Sequence, residues 1–177
     1  MKYKDIEIFC NAKLKVGDKL ITKDIDGKAV FVVAELDDDK IYLVRKWLLD
    51  NSAERPLISD DFNAFEWLDG EYRMSLPKKV RSRICGKVTL PSEKEVFGKN
   101  KYGADEDTKQ FRWFKNVLNR VAAYSKDDTF TRWWWTRTKC VSASSFARAG
   151  NNGDATYATP SVTWTGLRPH LILQRSC

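Results

Sequence analysis

Histidine is nearly absent from the chain: His170 is the only one in 177 residues. One imidazole with no partnered cysteine or carboxylate motif supplies neither a zinc-ligand set nor the base of a nucleophilic triad. Cysteine is sparse too. Cys10, Cys85, Cys140 and Cys177 lie far apart and form no CxxC pair. Scattered thiols of this kind read as reduced and mostly buried, not as a disulfide framework or a metal cluster. No catalytic residue, metal or cofactor is therefore expected. Nothing approaches the apolar run of about 18 residues that a membrane-spanning helix needs, so no membrane insertion is expected. The charged start Met1-Lys2-Tyr3-Lys4-Asp5 leads into no apolar stretch, and the chain reads as made in the cytoplasm without a signal peptide. No internal repeat of solenoid period is present.

What is present is an ordinary globular composition, 42% hydrophobic and 31% charged, with 7 Trp and an aromatic share of 12%. That aromatic excess points mildly toward recognition, because binding surfaces use exposed Trp and Tyr more than other residues. The net charge is +7. Part of it falls on Lys78, Lys79, Arg81, Arg83 and Lys87, a stretch that reads as a solvated face before it reads as a phosphate tracker. Nucleic acid is not the expected partner.

The first third reads as strands. Leu14-Lys15-Val16 and Lys19-Leu20-Ile21-Thr22 precede Asp26-Gly27, a two-residue hairpin signal whose central positions favour positive φ. Ala29 to Ala34 and Ile41 to Val44 follow, separated by Asp37-Asp38-Asp39. The expectation is an antiparallel meander over residues 1–58. From Ser59 the period becomes helical, with Phe62, Phe65, Leu68 and Tyr72 behind the capping run Ser59-Asp60-Asp61 and a stop at Pro77. Ser92-Glu93-Lys94-Glu95 fits a capping box. A second amphipathic helix is expected from Thr108, with Phe111, Phe114, Leu118 and Val121 on one face.

The last third is different again. Trp133-Trp134-Trp135 opens it, and Val141 to Thr165 is poor in large aliphatics and rich in Ser, Thr, Ala, Asn and Gly. Composition alone suggests disorder, but the closing Leu171-Ile172-Leu173 reads as a strand that docks the tract back onto the fold. Strand alternation would send Ser142, Ser144 and Arg148 to one face, over small residues such as Ala143, Ala147, Ala149 and Gly150. Asn151-Asn152-Gly153-Asp154 reads as a turn. Of two adjacent tryptophans on a strand, Trp134 and Trp135, one should be buried and the other at least partly covered. Arg137 and Arg168 read as structural, gripping carbonyls or a carboxylate through the guanidinium fork.

A spaced set of these pieces resembles the variable proteins of diversity-generating retroelements in phages and gut bacteria. The set comprises Trp134-Trp135-Thr136-Arg137-Thr138, Ser144-Ser145-Phe146-Ala147 and Gly166-Leu167-Arg168-Pro169. Upstream it includes Phe65-Glu66-Trp67-Leu68 with Tyr72, Thr89-Leu90-Pro91-Ser92-Glu93-Lys94-Glu95, and Phe114-Lys115-Asn116 with Asn119-Arg120-Val121. The resemblance covers roughly residues 60 to 173. It implies an α+β chain: a C-type-lectin-like domain over 59–177, related to the formylglycine-generating-enzyme fold, behind the small N-terminal β unit. His170 departs from the small apolar residue the pattern leads one to expect. The resemblance further implies a hypervariable, solvent-facing surface for ligand binding. That surface would comprise Lys139, Cys140, Ser142, Ser144, Arg148, Asn151, Asn152, Asp154, Thr156, Tyr157, Thr159, Ser161, Thr163 and Trp164. The implied role is receptor binding by a phage tail protein or adhesin, with a protein or cell-surface ligand, a virion tail partner and an oligomer among its associations. Two alternatives stand beside it: a formylglycine-generating-type enzyme, and a structural virion protein with no external ligand.

Overall fold

The computed structural model describes residues 4–5, 13–49 and 55–175. The reading of Cys10 and Cys177 as buried thiols, and of the first three residues as the start of a leaderless chain, falls outside the described residues. The expected meander is there: β2 (Lys19–Asp24), β3 (Gly27–Leu36) and β4 (Lys40–Arg45) pair antiparallel in sequence order. The two-residue β1 (Lys4–Asp5) runs parallel beside β2. The hairpin turn sits one residue earlier than expected. Asp24 pairs with Gly27, so Ile25 and Asp26 form the tip. Gly27 just behind it takes the positive φ of 90°. The Asp24 carboxylate fixes this register by accepting the Asp26 amide at 3.0 Å, a local bond that makes the turn without help from the strands.

The C-terminal strand β8 (His170–Gln174) completes the sheet in the order β1-β2-β3-β4-β8, as the apolar ending suggested. Its register, Leu43 opposite Leu171 and Ile41 opposite Leu173, puts both leucines on the same face as Phe31 and Val33. The intervening residues point the other way, since strand side chains alternate. Tyr42 and Val44 therefore meet a second cluster containing Phe111, Phe114 and Ala149. The meander and the last strand thus share one sheet with a core on each face, which is why β3 is buried almost continuously along its length.

The helix expected after Ser59 starts later and is not regular. Asn63, rather than Ser59-Asp60-Asp61, is its cap, accepting the Phe65 amide at 3.0 Å. α1 (Ala64–Trp67) runs into a π-helical turn (Leu68–Tyr72) containing Gly70, and then into α2 (Arg73–Ser75). Leu76 is extended ahead of Pro77, as a residue before proline prefers, and α3 (Lys78–Arg81) begins behind it. The π-helical turn aims Tyr72 into the first core, where its hydroxyl donates to Asp24 at 2.9 Å. Asp24 also pairs with the Arg45 guanidinium at 2.8 Å. This buried triad bolts the helix to the meander. α4 (Glu93–Phe97) carries the expected capping box, with the Ser92 and Glu95 side chains each accepting from the other's backbone amide.

The second amphipathic helix does not form. Residues Arg112–Lys115 and Val117–Asn119 make two short 3₁₀ turns. Between them Asn116 is extended, and its side chain accepts the Leu118 amide at 3.0 Å. An asparagine that captures a nearby amide offers the backbone an alternative to the helix, and here it wins. Phe111 and Phe114 are buried as expected, but Leu118 is 73% exposed.

A second antiparallel sheet, β5 (Trp134–Lys139), β6 (Phe146–Ala149) and β7 (Ala155–Ala158), holds the compositionally unusual tract. Trp134 and Trp135 are both wholly buried, so the second is covered completely and not only in part. Trp135 joins the first core and Trp134 the second. A strand with a core on each face has no solvent side to give either of them. The result is a mixed α+β architecture.

Candidate functional site

The tract hangs on a scaffold of buried ion pairs and carbonyl grips. Arg137 forks onto the Glu95 carboxylate, with Nη1 at 2.6 Å and Nη2 at 3.0 Å, and Nη1 also donates to the Leu90 carbonyl. Burial of Glu95 opposes its ionisation; nearby His170, the Arg137 fork and the Ser92 amide outweigh it and hold the carboxyl below the usual range. Arg168 is fully enclosed and pairs with no carboxylate among the described residues. Instead it donates to the carbonyls of Arg45, Asn119 and Lys46, beneath the rings of Trp113, Phe114 and Trp134. Burial pushes its pKa down to about 9. Both arginines are structural, in the way the sequence suggested.

The expected surface residues divide by where the backbone puts them. Lys139, Ser142, Ser144, Asn151, Asn152, Asp154, Thr159, Ser161 and Thr163 are exposed, and Thr156 is half-buried. Tyr157 and Trp164 are 52% and 53% exposed. Ser142 and Ser144 sit with exposed Ala143 in the loop before β6, so they do not alternate with Arg148 along one strand, and Ala143 packs under nothing.

Cys140 and Arg148 are buried. Cys140 carries a free thiol whose pKa burial, with Glu93 nearby, pushes up. That is the opposite of what a reactive thiolate requires. Cys85 is also free and half-buried. Among the described residues no group of three His, Cys, Asp or Glu side chains is placed to hold a metal, and no helix is long and apolar enough to cross a membrane.

Arg148 is only 6% exposed. Its guanidinium lies 4.1 Å from the Trp133 ring centroid and 4.5 Å from that of Trp164, and Nη1 donates to Thr165 at 3.0 Å. Trp133 and Trp164 meet edge to face at 5.7 Å. The stack replaces a counter-ion with two ring faces, a sound exchange for a desolvated arginine. It also pins the loop carrying Trp164 to β6.

The register separates this stack from Tyr157. Arg148 pairs with Thr156, and Ala147 pairs with Tyr157, so Arg148 and Tyr157 project from opposite faces of the sheet. Tyr157 instead meets Tyr102, with ring centroids 4.9 Å apart. The tract therefore presents two aromatic patches, where the sequence suggested one.

The Tyr102 hydroxyl donates to the Ala155 carbonyl at 3.4 Å, and Ala155 helps line a cavity of about 400 Å³ with Phe97, Lys99, Lys101, Arg120 and Asp154. Four segments build it. α4 ends at Gly98 and sets Phe97 and Lys99 at the rim. The buried Glu93 carboxylate gathers the amides of Lys101, Tyr102 and Gly103 at 3.0–3.2 Å, fixing the loop that carries Lys101 and Tyr102. Arg120 follows the second 3₁₀ turn, its Nε held by the Phe114 carbonyl at 2.8 Å and its guanidinium over the Phe97 ring. Asp154 comes from the β6–β7 turn, where Asn152 receives its amide and donates to its carboxylate.

Apart from Asp154, none of the lining residues was read as a binding residue in the sequence. They come from four separate segments, and no local pattern announces their meeting. The basic stretch that was singled out is dispersed: Lys78, Lys79 and Lys87 are exposed, while Arg83 reaches the Gln174 carbonyl.

Comparison with curated proteins and with solved structures gives no match. Residues 78–175 match the model of a family described as a domain of unknown function, DUF6273. The matched span runs from α3 to the end of β8, so it holds the tract, its arginine scaffold and the cavity, and leaves out the meander. It covers more than half of the chain. The chain belongs to the DUF6273 family.

Proposed function

We propose that this chain is a ligand-binding display protein whose recognition residues lie between Lys139 and Trp164. One observation carries the reading. In a tract whose strand backbone is anchored on two cores, Tyr157 and Trp164 are left about half exposed among exposed Ser, Thr and Asn side chains. Large amphipathic rings on rigid backbone, ringed by adaptable polar groups, are the composition of protein recognition surfaces. The same proposal includes the finer fold, a C-type-lectin-like arrangement. Its support is the small second sheet carrying the tract beside a sheet closed by the last strand. It includes also the setting: a phage or prophage receptor-binding or tail-associated adhesin, diversified by a retroelement and carried on a virion.

Two measurements test it. Labelled full-length chain is bound to a panel of bacterial envelopes and compared with Tyr157→Ala, Trp164→Ala and a Lys78→Ala/Lys79→Ala control. Loss of binding in the first two, with the control intact and the Tyr157→Ala and control melts unchanged, is the expected result; Trp164→Ala also gives up its contact with Arg148 and should melt somewhat lower. Binding that fails only in the control places recognition on the basic face and overturns the reading. For diversification, the neighbouring DNA should hold a near-repeat of the segment encoding residues 135 to 170. The copies should differ only at adenines and lie beside a reverse transcriptase.

A further inference from the structure

We infer that the cavity between α4, the 101–103 loop, Arg120 and the β6–β7 turn binds an acidic saccharide, a sugar ring bearing a carboxylate or a phosphate. The inference rests on the display reading for its setting and adds the ligand's chemistry. Three cations, Lys99, Lys101 and Arg120, line one concavity of about 400 Å³. Among the described residues none of the three is in an ion pair. Like charges gathered around a concave surface focus a positive potential into it, and an entering anion relieves their mutual repulsion.

The remaining chemistry narrows the anion. Phe97 gives the cavity an aromatic wall, and the Tyr102 hydroxyl, donating to the carbonyl of the lining residue Ala155 at 3.4 Å, sets the tilted Tyr102–Tyr157 pair close by. Ring faces of this kind cover the apolar C–H side of a sugar. Asp154, the one acid in the lining, would repel a bare anion. It is an acceptor suited to sugar hydroxyls, held ready by Asn152. A nucleic-acid strand fits less well. Its phosphates call for cations along a track with successive stacking platforms, whereas these cations converge on a single cavity large enough for one or two sugar rings.

The site is also preorganised. Glu93 fixes the loop of Lys101 and Tyr102, and the Phe114 carbonyl holds the Arg120 Nε, so these two cations are presented without ordering a segment on binding.

The test is calorimetric titration of the full chain with glucuronate, glucose 6-phosphate, glucose, inorganic phosphate and a single-stranded dT20. Both acidic sugars are expected to bind saturably, at least tenfold more tightly than glucose or inorganic phosphate, and more weakly as salt rises. If only one of the two binds, the anion's identity is settled as carboxylate or phosphate and the proposal stands. Lys99→Gln/Lys101→Gln changes exposed side chains, so its melt should match the parent while its affinity for acidic sugars falls at least tenfold. Equal binding of glucose or inorganic phosphate, binding of dT20 alone, no binding at all, or a double variant that keeps full affinity each overturns the proposal. If the double variant keeps envelope binding that Tyr157→Ala or Trp164→Ala loses, this ligand class is wrong and the display reading survives.

Discussion

At the scale of single residues, His170 is the position where the fold works hardest against a side chain's ordinary chemistry. It begins β8, is 1% exposed, and among the described residues has no hydrogen-bond partner on either ring nitrogen. Its ring stacks on Tyr42 and meets Phe111. Burial pushes its pKa down to about 4, against the opposing pull of Glu95. Protonation is then far easier in the unfolded chain, where an ordinary histidine titrates near 6.5. Stability from this group is fully present above pH 6.5 and is lost as the pH falls from there toward 4, because the unfolded state binds the proton first. Between pH 7 and pH 5 the loss should come to about 2 kcal/mol, measured as a falling urea midpoint. His170→Leu removes two unsatisfied polar atoms and should flatten that slope. An unchanged slope in the variant would mean that other groups carry the acid sensitivity. An apolar residue was the sequence expectation at this site, and the burial agrees with it even though the residue does not.

Elements were legible in the sequence where the determining contacts are local. The capping box at Ser92 to Glu95 and the meander both rest on neighbours within a few residues, and both are found. The docking of Leu171 to Leu173 was legible because an apolar ending has few other places to go. The failures have equally definite causes. Asn116 captures an amide and breaks a helix that the spacing of Phe111, Phe114 and Leu118 supports. The π-helical turn is set by where Tyr72 must reach, 48 residues back to Asp24, which no window can see. The cavity draws on four segments at once, of which only the start of α4 and the β6–β7 turn at Asn151 to Asp154 were readable in advance. That turn offers a direct check. Gly153 has a φ of 85°, and a Cβ there would stand 3.0 Å from the Val117 carbonyl oxygen. Gly153→Ala meets both obstacles, backbone strain of roughly 1–2 kcal/mol and a contact with a backbone atom that cannot swing away. The variant should melt lower than the parent, and since the turn carries Asp154 it should also weaken whatever the cavity binds. A melt equal to the parent's would show that the turn is free to adjust and does not position the cavity.

For the whole molecule, the two sheets divide the tract into parts that tolerate change and parts that do not. Arg148 belongs to the second group, although its charge and its place among small polar residues suggested a displayed side chain. Stacked between Trp133 and Trp164, it closes the gap between β6 and the returning loop. Ser142, Ser144, Thr159, Ser161 and Thr163 belong to the first: all are exposed. Among the described residues, their one side-chain hydrogen bond with another side chain, Ser161 to Thr159 at 3.4 Å, is long and at the surface. Asn152 and Asp154 are exposed as well but hold the turn together, so they stay with the scaffold. A variant with all five tolerant positions replaced should keep a single cooperative transition, each change costing within about 0.5 kcal/mol. Arg148→Ala alone should cost about 2 kcal/mol, the worth of a desolvated cation–π contact, and should free Trp164 to a collisional quencher. The comparison turns on the order of the two melts. If the five-fold variant collapses while Arg148→Ala melts like the parent, the exposed side chains carry the fold and the stack does not. The tract could then not be a display surface, because such a surface must change its outward residues while keeping the structure beneath them.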